Sequence, residues 1–246
     1  MKKIITLLAL FTSIISFGQS KAPAHEIWNS LLKKHVSVQG NVNYKAFVAD
    51  SIQLNKYLQA LSENKPDEKT WTANEQKVYW INAYNAFTVK LITQYYPVKS
   101  INDIGNKIKI PTGKTVWDVK FIKIGASNYS LNEIEHTQLR KNFGDARFHF
   151  VLVCAAKSCP ILLNEAYTAE KLNAQLDAQT KVFLNDKSRN DISLDKPKIS
   201  KIFEWYSMDF TSNSVSVIDY INKYATNKIK SNAPITYVDY SWDLNE

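Results

Sequence analysis

Apolar positions recur every three to four residues over 24–34 and 51–61, the spacing that puts side chains on one face of a helix. A turn-like Gln-Gly-Asn-Val-Asn-Tyr segment separates the two stretches. Thr72-Ala-Asn-Glu75 then has the form of a capping box, in which hydroxyl and carboxylate satisfy each other's free amides. It predicts the start of a long helix that runs to about Tyr96 and is stopped by Pro97. At about 100° per residue, Trp80, Tyr84, Phe87 and Leu91 form one stripe of that helix, and Val78, Asn82, Asn85 and Val89 form the opposite one. A helix that is apolar on two sides belongs in the centre of a domain. Asn82 and Asn85 fall within its apolar surface, where an unpartnered amide costs about 1–3 kcal/mol. Each therefore needs a partner, either loop backbone to be tied to the helix or a functional group to be oriented.

Residues 101–130 read as short, turn-rich and β-like, with a hairpin or strand pair around Thr-Val-Trp-Asp-Val-Lys-Phe-Ile-Lys-Ile-Gly. Ser130-Leu-Asn-Glu133 is a second capping box, which gives Glu133 a structural task. In the helix it opens, Leu131, Ile134, Leu139 and Phe143 form the apolar face, and Glu135 projects from the middle of it. A carboxylate there must be paired, hydrogen-bonded or protonated. His136 sits at the margin of that face and Arg140 one turn on. Arg-Phe-His-Phe-Val-Leu-Val-Cys-Ala, from Arg147, reads as a strand buried on both faces. Helical patterns follow across Ala166-Tyr-Thr to Asp186, Ile199 to Phe210 and Ser216 to Ala225, and the terminal segment from Pro234 is strand-like and aromatic. The sum is α+β: a helix-rich single domain around a small, mostly buried sheet.

The first residues change the expected location. Two lysines, an apolar run of roughly 13 residues and a small-residue stretch follow the order of a secretory signal, with cleavage expected near Gly18 or Gln19. The run is too short to span a bilayer. An extracytoplasmic protein without a membrane span is expected, in a compartment where disulfides persist. Composition adds little: 31 Lys+Arg against 23 Asp+Glu give +8 in a chain of 246 residues, but the lysines are scattered. Without a basic run or interleaved aromatics, nucleic acid is not an expected partner.

The two cysteines, Cys154 and Cys159, are the most chemically suggestive pair. In a secreted chain with no other thiol they are expected to bridge. If free, Cys154 would be the candidate nucleophile. On a straight strand His149 and Cys154 point to opposite faces, so its expected base is His136, with Glu135 as a third catalytic candidate. Asn82, Asn85, Arg140 and His149 are the candidate binding residues. The four histidines show no paired ligand spacing, so neither a metal nor another cofactor is expected.

Trp80-Ile-Asn-Ala-Tyr-Asn85, Ile134-Glu-His-Thr-Gln-Leu-Arg140, and His149-Phe-Val-Leu-Val-Cys154 with Ser158-Cys-Pro160, in that order, resemble the domain of unknown function 547 family. Gly40-Asn-Val-Asn-Tyr44, Phe203 to Phe210 and the terminal Tyr-Ser-Trp-Asp-Leu-Asn resemble the flanks of longer, secreted bacterial members. The resemblance implies a core at 66–186, preceded by a signal peptide at 1–19 and an N-terminal helical flank at 20–65 and followed by a C-terminal helical and strand extension at 187–246 packed on the core; it implies no established activity. The leading expectation is a cell-envelope module that binds a peptide, glycan or small molecule through a buried Asn/Glu/His cluster. A thiol-dependent hydrolase or acyl transferase using Cys154 with His136 is the alternative, and a redox role of Cys154 and Cys159 the third.

Overall fold

A computed structural model describes residues 22–246; the expected signal peptide lies outside the described residues. Helix α1 (Glu26–His35) packs on α2 (Tyr44–Ala49) and α3 (Ser51–Glu63), and these two pack on α4 (Ala73–Tyr95). The capping box at Thr72 forms, with Glu75 N–H donating to Thr72 Oγ1 (3.2 Å) and Thr72 N–H to Glu75 Oε2 (2.7 Å). Every α4 residue from Val78 to Val89 is buried, as the two apolar stripes require of a central helix. Helix α2 is an addition to the sequence pattern: Asn43 caps it by accepting from Ala46 N–H, turning part of the expected loop into helix.

The β-rich reading of 101–130 contracts. Ile101–Asn106 and Val116–Asp118 are 3₁₀ turns, each with a side-chain cap (Ser100 with Asp103, Thr115 with Asp118) that satisfies the first free amides. Only β1 (Ile122–Ile124) and β2 (Ser127–Tyr129) pair, as an antiparallel hairpin with Ile124 opposite Ser127. The second capping box is present, and α5 (Leu131–Glu133) continues from it into a π-helical segment, Ile134–Lys141.

The expected buried strand from Arg147 is not a strand. Asp145 caps a 3₁₀ turn over Ala146–Phe150, and the chain then runs irregularly through Val151 to Cys154. An apolar run of this length fits a buried helical turn as well as a strand. Here the backbone is satisfied without a ladder: Asn85 donates to Val151 C=O (2.9 Å) and accepts from Val153 N–H (3.0 Å).

Helix α6 (Leu172–Asn185) is followed by β3 (Lys198–Ile199), α7 (Ile202–Trp205), α8 (Ser207–Thr211), α9 (Val217–Tyr224) and β4 (Thr236–Tyr237). Strands β3 and β4 pair in parallel, so among the described residues the sheet content is two separate two-stranded pieces in a helix-rich α+β fold. There are two apolar cores. The larger surrounds α4; the smaller joins Phe150 and Phe183 to Phe203, Phe210 and Ile221. Phe203 and Phe210 have ring centroids 4.7 Å apart, and Phe150 lies 5.7 Å from Phe210. Burial of each such ring stabilises by about 2 kcal/mol. Residues before and after 186 thus share one core, and the C-terminal extension completes it. Beyond β4 the chain returns across the molecule. Lys157 N–H donates to Asp243 C=O (2.8 Å), Asn245 N–H to Ala155 C=O (3.2 Å) and Val42 N–H to Asn245 C=O (2.8 Å). Among the described residues, no helix is long and apolar enough to cross a membrane.

Candidate functional site

A cleft of about 470 Å³ opens where the π-helical segment, the loop at Cys154, α7 and the C-terminal segment meet. That volume lies in the range of small-molecule sites, roughly 300–1,000 Å³. Six aromatic side chains line the cleft: Tyr84 from α4, Trp117, Trp205 and Tyr206, and Tyr240 and Trp242. The rings support one another. Trp205 packs on Tyr240 at 4.9 Å, Tyr240 on Trp242 at 4.7 Å, and Trp117 on Trp242 at 5.5 Å between centroids. Burial holds the Tyr84 phenol well above its usual range, and the Trp117 indole beside it partly offsets this.

Glu135 lines this cleft and is only 7% exposed. The expectation that the helix turns it inward holds, and Tyr206 stands close enough for the carboxylate to act on its hydroxyl. Burial first, and then Glu135, hold the Tyr206 phenol far above its usual range, so it remains a donor. The π-helical segment carries Glu135 and His136 on one turn and Arg140 on the next; π-helical turns recur at functional sites.

Arg140 does not turn into the cleft. Its guanidinium grips Asp209 of α8 with two bonds, Nε to Oδ2 (2.6 Å) and Nη2 to Oδ1 (2.9 Å), and faces the Tyr206 ring at 4.9 Å. His149 donates from Nε2 to the same Asp209 oxygen (2.7 Å) and stacks on Tyr206 with centroids 3.9 Å apart. The His149 hydrogen bond, followed by that of Arg140, pulls the Asp209 carboxyl well below the usual carboxylate range. His149, almost fully buried, lines the cleft.

Cys154 and Cys159 form a disulfide in the cleft wall. Tyr240 bridges it, its hydroxyl 3.2 Å from Cys154 Sγ and 3.4 Å from Cys159 Sγ. Within the loop, Ala155 has φ = 61°, a left-handed conformation that costs a non-glycine residue about 1–2 kcal/mol. Arg189 holds the loop from outside, donating to Cys159 C=O (2.7 Å) and Lys157 C=O (2.9 Å).

The structure redistributes the residues singled out in the sequence. Glu135, His149, Cys154 and Cys159 share the cleft. His136 does not: its ring is bonded to Arg140, and it borders a second, polar hollow with Lys114 and Lys120. The histidine that shares the cleft with Cys154 is His149, and the straight strand that was to place them on opposite faces is absent. Asn82 and Asn85 are fully committed to backbone. Asn82 donates to Tyr167 C=O (3.0 Å) and accepts from Tyr167 N–H (3.1 Å), while Asn85 holds Val151 and Val153. Both asparagines position chain segments, and neither lines the cleft.

Asp209 and the aromatic wall were not among the sequence candidates. The available signal was the density of rings in Phe-Glu-Trp-Tyr-Ser-Met-Asp-Phe and Thr-Tyr-Val-Asp-Tyr-Ser-Trp, each with an acidic residue.

Residues 68–184 match the family model described as "Protein of unknown function, DUF547". The matched span carries Glu135, Arg140, His149 and the cysteines, and ends before Trp205, Tyr206, Asp209, Tyr240 and Trp242. No curated protein and no solved structure matches the chain.

Proposed function

We propose that this chain, with a DUF547 domain at residues 68–184, is an extracytoplasmic module that binds a cell-envelope ligand in its aromatic cleft. The observation that carries the reading is the set of six aromatic side chains arranged around the buried Glu135 carboxylate. Rings offer flat apolar faces, and a few polar groups set orientation, which is the usual division of labour in a small-molecule site. The signal-like N-terminal pattern supports the location.

Binding is favoured over thiol chemistry because the disulfide removes Cys154 as a nucleophile. His136, its expected base, is occupied by Arg140. The test is an intrinsic tryptophan fluorescence titration of the purified protein with muropeptides, lipopolysaccharide core oligosaccharides and short peptides. A saturable response that Trp242→Ala weakens at least tenfold is expected. No saturable response to any of these probes, or one that Trp242→Ala leaves unchanged, overturns the reading.

A further inference from the structure

Among the described residues that line the cleft, Glu135 and His149 are the only acidic or basic side chains. His149 is held by Asp209, and Asp209 is also gripped by Arg140. The arginine charge is thereby matched by an aspartate, and Arg140 has no second carboxylate bonded to it. Arg189, on the far side of the loop, is matched by Asp186. Among the described residues no cation is bonded to Glu135: the Arg140 charge acts on it from a distance while its guanidinium is held by Asp209, and its near neighbour in the cleft is the neutral Tyr206 hydroxyl. A buried carboxylate to which no cation is bonded, in a cleft with tryptophan and tyrosine in its walls, is complementary to positive charge. The carboxylate supplies the counter-charge, and the ring faces attract a cation through their quadrupoles, an interaction worth more when water is excluded. The +8 excess of the whole chain makes the contrast sharper, since the cleft wall carries neither lysine nor arginine.

Resting on the cleft-binding reading, we propose that the ligand presents a primary ammonium group to Glu135. A carboxylate has about four acceptor positions, and the neighbouring Tyr206 hydroxyl can take at most one. An ammonium group with three N–H donors can use those that remain, whereas a quaternary ammonium can use only the rings. The cleft, at about 470 Å³, is far larger than the cation itself, so the group is the head of a larger molecule whose body lies along Trp205, Tyr240 and Trp242. Both an amino sugar and a peptide N-terminus carry this chemistry.

The experiment compares cyclohexylammonium with cyclohexanol, which share a ring and differ in charge, by fluorescence titration at pH 7 and low salt. N,N,N-trimethylcyclohexylammonium is a third arm, and glucosamine and alanyl-alanine amide separate the two sources. Cyclohexylammonium is expected to bind at least tenfold tighter than cyclohexanol and tighter than its trimethyl form. Glu135→Gln should bring the first two within about twofold, and Tyr206→Phe, which keeps the carboxylate, should retain the preference. Equal binding of cyclohexylammonium and cyclohexanol overturns the ammonium assignment and leaves the cleft reading standing. The same holds if both fail to bind while an envelope probe does. A preference that persists in Glu135→Gln, or is lost in a folded Tyr206→Phe, also overturns it. Silence from every probe, the envelope set included, overturns both.

Discussion

His149 Nε2 and Asp209 Oδ2 stand 2.7 Å apart, joining a residue of the matched domain to one 60 positions later in the extension. With Arg140 on the same carboxylate, the pair fixes α8 against the site. The Asp209 carboxyl is depressed below its unfolded value, near 3.9, chiefly by His149 and then by Arg140. A depressed carboxyl contributes stability that is present above the unfolded value and fades as pH falls through the folded one. Asp209→Asn should therefore be less stable than the native chain at pH 7, and the gap should narrow below about pH 4. Urea midpoints from pH 7 to 3 measure this. About a quarter of the side chain remains exposed (26%), so solvent screening keeps the gap modest. A gap that widens with acid contradicts the assignment.

Asn82 and Asn85 each make two hydrogen bonds to buried backbone, at Tyr167 and at Val151 with Val153. Replacing either by alanine leaves a donor and an acceptor unpaired, at a cost of about 3 kcal/mol. The consequences for the cleft should differ. Asn85 holds the approach to Cys154, so Asn85→Ala should alter probe binding as well as thermal stability, whereas Asn82→Ala should affect stability alone. Calorimetry with the fluorescence titration separates the two.

Gly40 ties the N-terminal flank to the loop following the disulfide. Its φ is +83°, and an added Cβ would stand 2.3 Å from Ile161 Cβ and 3.0 Å from Ile161 Cα. The obstruction includes backbone, so it cannot swing aside. Gly113 has a similar φ, +77°, and open space around it. Gly113→Ala should cost about 1–2 kcal/mol of left-handed strain. Gly40→Ala should cost distinctly more, because overpacking adds about 1–3 kcal/mol. Equal denaturation midpoints for the two variants would show that the Ile161 contact yields freely.

The helices that rest on a capping box and a sustained apolar period were legible in the sequence, α4 most clearly. Glu135 was legible as a buried carboxylate because its place on an apolar face is a local property. The partners were not. Tyr206 and Asp209 come to Glu135 and His149 from about 70 and 60 residues away, and no local periodicity encodes that meeting. The strand expected at Arg147 failed for a related reason. An apolar run records burial, while the decision against a ladder lay with Asn85, 66 positions earlier, which supplies the partner for Val151 C=O. The reading of Asn82 and Asn85 as possible backbone ties came from that same cost of burying an amide, and this alternative is the one the hydrogen bonds bear out.

The cysteine loop yields a redox expectation. Cys154 and Cys159 close a small ring, for which the chain-entropy contribution is about 2 kcal/mol, less than the ~3 kcal/mol of a 15-residue loop. In native, unreduced protein neither cysteine should alkylate, and both should after reduction, as mass spectrometry reads directly. Cys154→Ser with Cys159→Ser should lower stability by about 2 kcal/mol while leaving the fold, because Arg189 and the C-terminal segment hold the same loop through its backbone. Rapid labelling of Cys154 in the native state would instead restore it as a nucleophile beside His149.

Glu135 and Tyr206 offer the most direct energetic measurement of the site. The phenol stands near the carboxylate in a sheltered cleft, and a charge-assisted hydrogen bond between two such groups is worth about 1.5–3 kcal/mol. Tyr206→Phe removes the donor and keeps the ring that stacks on His149, whereas Glu135→Leu removes the acceptor and leaves the tyrosine hydroxyl unpaired. A double-mutant cycle isolates the pair from the other contacts of each residue. The coupling is expected to be about 1.5 kcal/mol or more at pH 7, and Glu135→Gln, which retains an acceptor, should be the mildest of the single changes at Glu135. A coupling near zero would mean that the two side chains are held in place independently. In that case the carboxylate would be oriented by the π-helical backbone alone, and the cleft would have lost the neutral donor that leaves its charge free for a ligand.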